Sequence, residues 1–324
     1  MSSRPRVLVT DHVVRSEAIS ILEESAEVKI ISGGSAESTV INAVREVDAI
    51  LARRVNISKK VIEAAPKLKI IARHGVGVEQ VDIYEATRRG IYVTFTPTAN
   101  SESVSEFTMA LLLTFYREII KGYQNVQKGG WYQAKLINNE IYQKKIGIIG
   151  LGNVGLRVAK KAKAFEMEIL GYDPYISQET AKNFGIKLVS INNLLSESDV
   201  ISLHVRHTKE TEKMIGKKEL GLMKKNAVLL NTSRGKVIDE EALINALENA
   251  DIAGACLDTF WAEPLPLDSK LRTFDNVILT PHMAGSTKEA FIRMGTEAAK
   301  NIVKVLKGEI PINVYNKEIF HKDK

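Results

Sequence analysis

Cysteine is nearly missing from this sequence. Cys256 stands alone among 324 residues, which excludes an intramolecular disulfide and any cysteine-cluster metal site. Long apolar runs are missing as well. The longest, Phe107 to Phe115, falls well short of the ~20 residues a membrane-spanning helix needs. The opening residues MSSRPRVLVT pass straight into a strand-like VLVT, without the apolar stretch a secretion signal carries. These absences predict a cytoplasmic chain with no membrane association and no metal. An excess of one charge is lacking too. The net charge is +6, but 45 basic residues are interspersed with 39 acidic ones. The densest basic stretch, Lys160-Lys161-Ala162-Lys163, falls on a helical pattern and reads as a solvated face. No nucleic-acid partner is expected, and a modest positive bias suits a small anionic substrate. There is no internal repeat by motif and no low-complexity segment. With 44% hydrophobic residues, the length fits two domains better than one oversized core.

What is present is a β/α rhythm. Short β-rich runs at Val7–Thr10, Val28–Ile31, Ala49–Ala52, Ile70–Ala72 and Tyr92–Thr94 alternate with amphipathic stretches such as Ser16–Glu24 and Ser58–Ala65. That alternation predicts a parallel sheet covered on both faces. A long helix is expected from about Asn100, where Ser103 and Glu106 have capping-box spacing. Its run Phe107–Phe115 is nearly all apolar, which predicts burial on most sides, and Lys128-Gly129-Gly130 ends the helical region. A second series starts at Lys145. Its strand candidates are Ile146–Ile149, Glu168–Tyr172, Val200–His204, Ala227–Asn231, Gly254–Leu257 and Val277–Thr280. Helices are expected over Val154–Phe165, Glu179–Asn183, Lys217–Met223, Asp239–Asn249 and Thr287–Leu306. The fold class is therefore α/β, with two Rossmann-like or flavodoxin-like domains built on parallel sheets.

Gly150-x-Gly152-x-x-Gly155 sits between a β-rich run and a helical one, and Asp173 lies 18 residues past Gly155. A lone glycine pattern is weak, but strand, glycines, helix and acid at that offset together predict dinucleotide binding. Gly150 permits the tight turn, Gly152 lets the backbone approach a pyrophosphate, and Gly155 packs helix against strand. The amides of Asn153 and Val154 open the helix, where its dipole favours phosphate oxygens. Asp173 suits ribose hydroxyls and repels a 2′-phosphate, which predicts NAD over NADP.

Three further segments each place a charged residue after a strand candidate: Asn231-Thr-Ser-Arg234-Gly235, Leu257-Asp258-Thr-Phe-Trp-Ala-Glu263-Pro264 and Thr280-Pro-His282-Met-Ala-Gly285. Parallel sheets bind ligands at such carboxyl ends. Reducing a 2-oxo acid needs a fixed cation, a group titrating near neutrality, and something to tune it. Arg234 suits the first, with bidentate donors and permanent charge. His282 suits the second as proton donor and acceptor. Glu263 suits the third, orienting the imidazole and stabilising its charged form.

With these motifs in order, the sequence resembles the D-isomer-specific 2-hydroxyacid dehydrogenases, phosphoglycerate dehydrogenases and glyoxylate/hydroxypyruvate reductases among them, over nearly its whole length. GLGNVG, NTSRGKVID, DTFWAEPLP and TPHMAGST carry the likeness, and Arg73-His-Gly-Val-Gly-Val-Glu-Gln-Val-Asp resembles the family's substrate-carboxylate loop. The resemblance implies that Arg234, Glu263 and His282 form a catalytic trio. It implies that Asp258 contacts the nicotinamide amide and that Val205, Thr232, Ser233 and Ala284 line the cofactor. It assigns the substrate carboxylate to the backbone at Val76 and Gly77 and to the side chain of Asn100. It also implies a discontinuous substrate domain, residues 1–99 plus 286–324, around an NAD-binding domain of residues 100–285. The active site is then expected in the interdomain cleft, in a homodimer joined through the cofactor domains and the helix after Asn100. No C-terminal regulatory domain of the kind found in some phosphoglycerate dehydrogenases is expected.

Departures and alternatives stay open at this level. Arg206 stands where many relatives have proline, either adding charge near the cofactor or facing water, and Thr98 replaces a glycine or asparagine. His12, His207 and His321 read as surface residues. His204 is either a cofactor neighbour or packed structure, and His74 either a substrate contact or structural. Arg53, Arg54 and Arg73 read a phosphate or second carboxylate, or else form salt bridges. Trp261 covers the pocket or only packs there. An NAD-sensing corepressor-like scaffold and a phosphite oxidoreductase remain alternative functions. Formate oxidation is disfavoured, because such relatives carry glutamine in place of Glu263.

Overall fold

Apolar runs too short for helices become strands, fully buried at Ala49–Ala52 and Ile70–Arg73. In the computed structural model, which describes residues 4–131 and 137–321, the chain divides into two units, Met1–Asn100 with Ser286–Lys324, and Ser101–Gly285. The first three residues of the opening segment lie outside the described residues.

The first unit carries β1 (Arg6–Val9), β2 (Glu27–Ile30), β3 (Ala49–Ala52), β4 (Ile70–Arg73) and β5 (Tyr92–Thr94) in a parallel sheet of order β2-β1-β3-β4-β5. Residues alternate between the two faces of a strand. Leu8, Ile50 and Ile71 thus pack on one side with Val61 and Ile62. Val7, Val9, Leu51 and Ala72 pack on the other with Ala18, Leu22, Ala298 and Ile302. Covering both faces is why β3 and β4 read as continuous apolar runs rather than as alternating ones. Part of that cover comes from the far end of the sequence. The helix Lys288–Leu306 starts at Thr287, whose side chain accepts the Ala290 amide at 3.1 Å. Its small residues let it lie close: a Cβ on Gly295 would stand 3.0 Å from that of Ala18.

The second unit holds β6 (Lys145–Ile149), β7 (Glu168–Tyr172), β8 (Lys187–Leu188), β9 (Val200–Leu203), β10 (Val228–Asn231), β11 (Gly254–Leu257) and β12 (Val277–Leu279). All pairs are parallel, in the order β12-β11-β10-β9-β6-β7-β8. The chain runs one way from β6 to β8 and then crosses back to β9 on the other side. The switch point lies between β6 and β9, where doubly wound sheets open a crevice at their carboxyl ends.

Three elements differ from the sequence expectation. The long helix after Asn100 is two helices, Ser101–Tyr116 and Ile119–Gln127, separated at Glu118, whose φ of 44° is left-handed. The first buries much of its surface, including Met109, Leu111 and Leu112, whereas the second buries nothing. The short edge strand β8 and the helix Ile191–Glu197, capped by Ser190, were not foreseen. Two residues give no measurable β pattern, and only pairing with β7 defines that strand.

Candidate active site

The glycine loop between β6 and the helix Gly155–Ala164 is shaped by three different constraints. Gly150 has φ +91°, and a Cβ there would stand 2.7 Å from the His204 carbonyl. A Cβ on Gly155 would stand 2.0 Å from the Gly150 oxygen. Both positions therefore need glycine for the fold itself. Gly152 does not: a Cβ there would meet no protein atom within 4 Å, and the residue is exposed. A glycine not needed for packing fits a place where a ligand's backbone approach sets the demand. Across the loop, Asp173 accepts the Leu151 amide on one carboxylate oxygen and the Tyr175 amide on the other, each at 2.8 Å. It is thereby fixed at the end of β7, beside the glycines. The helix has no side-chain cap, so its first amides keep their polarity for an anion. These residues fit a dinucleotide.

Beyond β10 the chain turns on Asn231, which is fully buried. Its Oδ1 accepts from the amide and the hydroxyl of Ser233, at 3.0 and 2.8 Å, and its Nδ2 donates to the Arg234 oxygen at 2.9 Å. The sequence reading missed this role. The signal was there: an Asn two residues before a backbone amide at a strand end is an Asx turn. Thr232 is anchored from another side, its hydroxyl 3.1 Å from that of Thr108. Arg234 is half-buried, with Nη1 donating to the Ser233 oxygen at 2.8 Å. A Cβ on Gly235 would fall 2.0 Å from the Phe260 carbonyl carbon, so this loop touches the next one backbone to backbone.

In that next loop Glu263 turns back on itself, accepting the Phe260 amide on Oε1 at 3.0 Å. Its other oxygen meets His282 Nδ1 at 2.7 Å. His282 takes a left-handed backbone, φ 50°, a conformation that surrounding structure must enforce in a residue with a Cβ. Asp258 supplies the enforcement. Fully buried, it accepts Thr280 Oγ1 at 2.7 Å and the Met283 amide at 2.9 Å on Oδ1, and the Ala284 amide at 2.9 Å on Oδ2. The sequence reading gave Asp258 to a cofactor amide and did not see that it builds the loop carrying His282.

Electrostatics follow from this geometry. The hydrogen bond that His282 donates to Glu263 holds the His282 pKa above the ordinary imidazole value, against burial and the charge of Arg234, and the charges of Glu263 and Asp258 add to the rise. Burial pushes Glu263 upward, but hydrogen bonds from His282 and the Phe260 amide outweigh it and leave the pKa lowered. With Nδ1 committed to Glu263, Nε2 is the nitrogen that can pass a proton outward. The pair is open to such traffic, with side-chain exposures of 49% for His282 and 37% for Glu263.

Other candidates resolve differently. Arg53 and Arg54 both bind Asp11 Oδ2 at 2.9 Å, so the salt-bridge reading describes them. Arg73 is buried, its Nε donating to the Gly77 oxygen at 2.9 Å and Nη1 to the Ala52 oxygen at 3.0 Å, which shapes the loop holding Val76 and Gly77. His74 faces the Phe291 oxygen at 3.2 Å, and burial lowers its pKa to about 4. His204 faces Ser202 Oγ at 2.8 Å, and burial lowers its pKa to about 3. Both stay uncharged at neutral pH. His12, His321, Arg206 and Thr98 are exposed, whereas His207 is half-buried, 3.4 Å from Glu212. Val205 and Asn100 are half-buried, and Ala284 is buried. Among the described residues no cluster of His, Cys, Asp and Glu is placed to hold a metal, and no helix is long and apolar enough to cross a membrane.

Residues 109–284 match the family described as "D-isomer specific 2-hydroxyacid dehydrogenase, NAD binding domain". The chain belongs to this family. Its members are NAD-dependent oxidoreductases acting on 2-hydroxy acids, and the chain carries their NAD-binding domain. The chain is 44% identical over 313 residues to a D-3-phosphoglycerate dehydrogenase of Methanocaldococcus jannaschii, covering 96% of this chain but 59% of that protein. It is 40% identical over 323 residues to a glyoxylate reductase of Korarchaeum cryptofilum, covering 98% and 97% of the two. Among solved structures, the D-lactate dehydrogenase of Aquifex aeolicus complexed with NAD and lactic acid matches with a TM-score of 0.81 and 32% identity. That match covers 94% of this chain and 96% of that one.

Proposed function

We propose that this protein catalyses reversible hydride transfer between NADH and a small 2-oxo acid, with glyoxylate, hydroxypyruvate and phosphohydroxypyruvate as the substrate candidates. The observation that carries this reading is the 2.7 Å contact between His282 Nδ1 and Glu263, with Arg234 close enough for its charge to act on both. NADH, when bound, supplies the hydride to the carbonyl carbon. Arg234 grips the carboxylate with its fork and polarises the ketone. His282 Nε2 delivers the proton to the carbonyl oxygen, and Glu263 stabilises the imidazolium that makes this proton available at neutral pH. In the reverse direction neutral His282 takes the hydroxyl proton back. In the first unit the amides of Val76 and Gly77 and the side chain of Asn100 are assigned to the carboxylate.

For the cofactor, Asn153 and Val154 at the helix N-terminus serve the pyrophosphate and Asp173 the ribose hydroxyls. Val205, Thr232, Ser233 and Ala284 line the dinucleotide. Among the described residues Asp258 Oδ2 accepts one hydrogen bond, which suits a contact with the nicotinamide amide. Residues 1–99 with 286–324 then serve as the substrate domain and 100–285 as the NAD domain. Cytoplasmic location and a homodimer belong to the same reading. The helix Ile119–Gln127 supports the dimer, since Ile119, Tyr123 and Val126 are each at least 52% exposed along one face, a pattern that marks an interaction surface.

NADH oxidation followed at 340 nm across a panel of 2-oxo acids, including these three, tests the proposal. Turnover with one or more is expected, and no turnover with any member would overturn it.

A further inference from the structure

Trp261 lies two residues before Glu263 in the loop after β11. The space beside its ring is a cavity of about 10 Å³, lined by Gly235, Thr259, Phe260 and Leu271 among others. That is room for about one water, so Trp261 covers no substrate pocket there. What it does is join two loops. Its indole Nε1 donates to the Ile238 oxygen at 2.7 Å, in the turn that begins directly after Arg234. Its backbone amide is near enough to the Glu240 carboxylate to hold that group's pKa down, against the burial that raises it overall. Lys213 and Lys236 stand against the ring, 5.4 and 5.6 Å from its centroid. Lys213 is itself tied to Asp239 at 3.1 Å, and its amide donates to the Lys236 oxygen at 2.8 Å. The segment bearing Arg234 and the segment bearing Glu263 thus share one anchor.

We infer that Trp261 is a positioning residue, whose indole hydrogen bond to Ile238 fixes Glu263 against His282 and sets its place relative to Arg234. The inference rests on the proposed 2-oxo acid chemistry for its kinetic readout but not for its structural one. In this loop geometry Glu263 Oε1 meets the Phe260 amide while Oε2 meets His282. Loosening the neighbour of Phe260 lets that carboxylate turn. The charged groups that bear on His282 are Glu263, Asp258 and Arg234, and of these Glu263 has the carboxylate whose hold depends on Trp261.

The test is Trp261→Phe, which keeps an aromatic ring and deletes the donor. Loss of one hydrogen bond predicts a fall of about 3- to 10-fold in kcat/KM for the 2-oxo acid, with the KM for NADH unchanged. The pH at which the reduction rate declines should move downward. Isotope-labelled histidine gives a readout independent of turnover: the His282 resonance, assigned with an H282A variant, should titrate at lower pH in W261F than in the parent. If W261F only lowers the thermal midpoint, with the kinetic constants and the His282 titration unchanged, Trp261 merely packs and the inference falls. Failure of the parent to reduce any 2-oxo acid would instead sink the proposed function, leaving the His282 titration to decide the role of Trp261.

Discussion

Replacing Asp258 with asparagine keeps the shape of the side chain and removes one of its acceptors. In the parent, Oδ1 accepts from Thr280 Oγ1 and the Met283 amide, and Oδ2 accepts from the Ala284 amide. An asparagine NH2 at the Oδ2 position faces the Ala284 N–H, donor against donor. Flipped, it faces the Met283 N–H, and only the Thr280 hydroxyl can turn to accept. Either way one backbone amide of the His282 loop loses its partner. A buried donor left unpaired costs about 1–3 kcal/mol, and Asp258 and Ala284 are both buried. If that cost falls on the loop, the population holding His282 at its left-handed backbone drops by about 5- to 160-fold. Removing the Asp258 charge also lowers the His282 pKa, because that charge helps to raise it. Steady-state reduction of the best 2-oxo acid should therefore show kcat reduced within that range and a pH profile displaced downward. Thermal unfolding and circular dichroism serve as controls for the fold. A folded D258N protein with parental kcat and pH profile would refute the claim that Asp258 builds the catalytic loop.

Three other perturbations probe the same site. His282→Ala should lower kcat by about 10²- to 10⁴-fold, the usual worth of a positioned general acid, with NADH affinity by fluorescence titration nearly unchanged. Arg234→Lys should raise the KM for the oxo acid and lower kcat together, because lysine lacks the fork. Near-normal constants for either variant would remove the residue from its role. The pH dependence has a definite sign. His282 has a raised pKa, so its protonated form persists to higher pH, and reduction should decline only as pH climbs through that raised value. Oxidation, which needs neutral imidazole, should rise over the same interval. In Glu263→Gln the raising hydrogen-bond partner loses its charge and both limbs should shift to lower pH, measured as kcat against pH in each direction.

Much of the candidate site is legible in the sequence. Glycine spacing, the acid after the second strand and the order Arg234, Glu263, His282 are local patterns, and each lies on a loop that follows a strand. Strand positions were legible because both faces are covered, which forces continuous apolar runs such as Ala49–Ala52 and Ile70–Ala72. The arginines were not. Arg53 and Arg54 read equally well as anion readers, and it is Asp11, some forty positions earlier, that engages both. Asn231, which folds the Arg234 loop through three hydrogen bonds, carries an Asx-turn signal that the more conspicuous charges overshadow.

The sequence alone determined the elements and the chemical types: two β/α series, a dinucleotide loop at Gly150–Gly155, and an arginine, a glutamate and a histidine at strand ends. These depend on spacing and on the intrinsic properties of side chains, which a linear string records. Tertiary structure alone decided the strand orders, the return of Lys288–Leu306 to the first sheet, and the break at Glu118. It also decided that His282 is held left-handed by Asp258 and that Trp261 links the Arg234 and Glu263 loops. Those outcomes hinge on which distant groups satisfy a buried carboxylate, an indole N–H or an apolar face. Such satisfaction is a property of packing in three dimensions rather than of order along the chain.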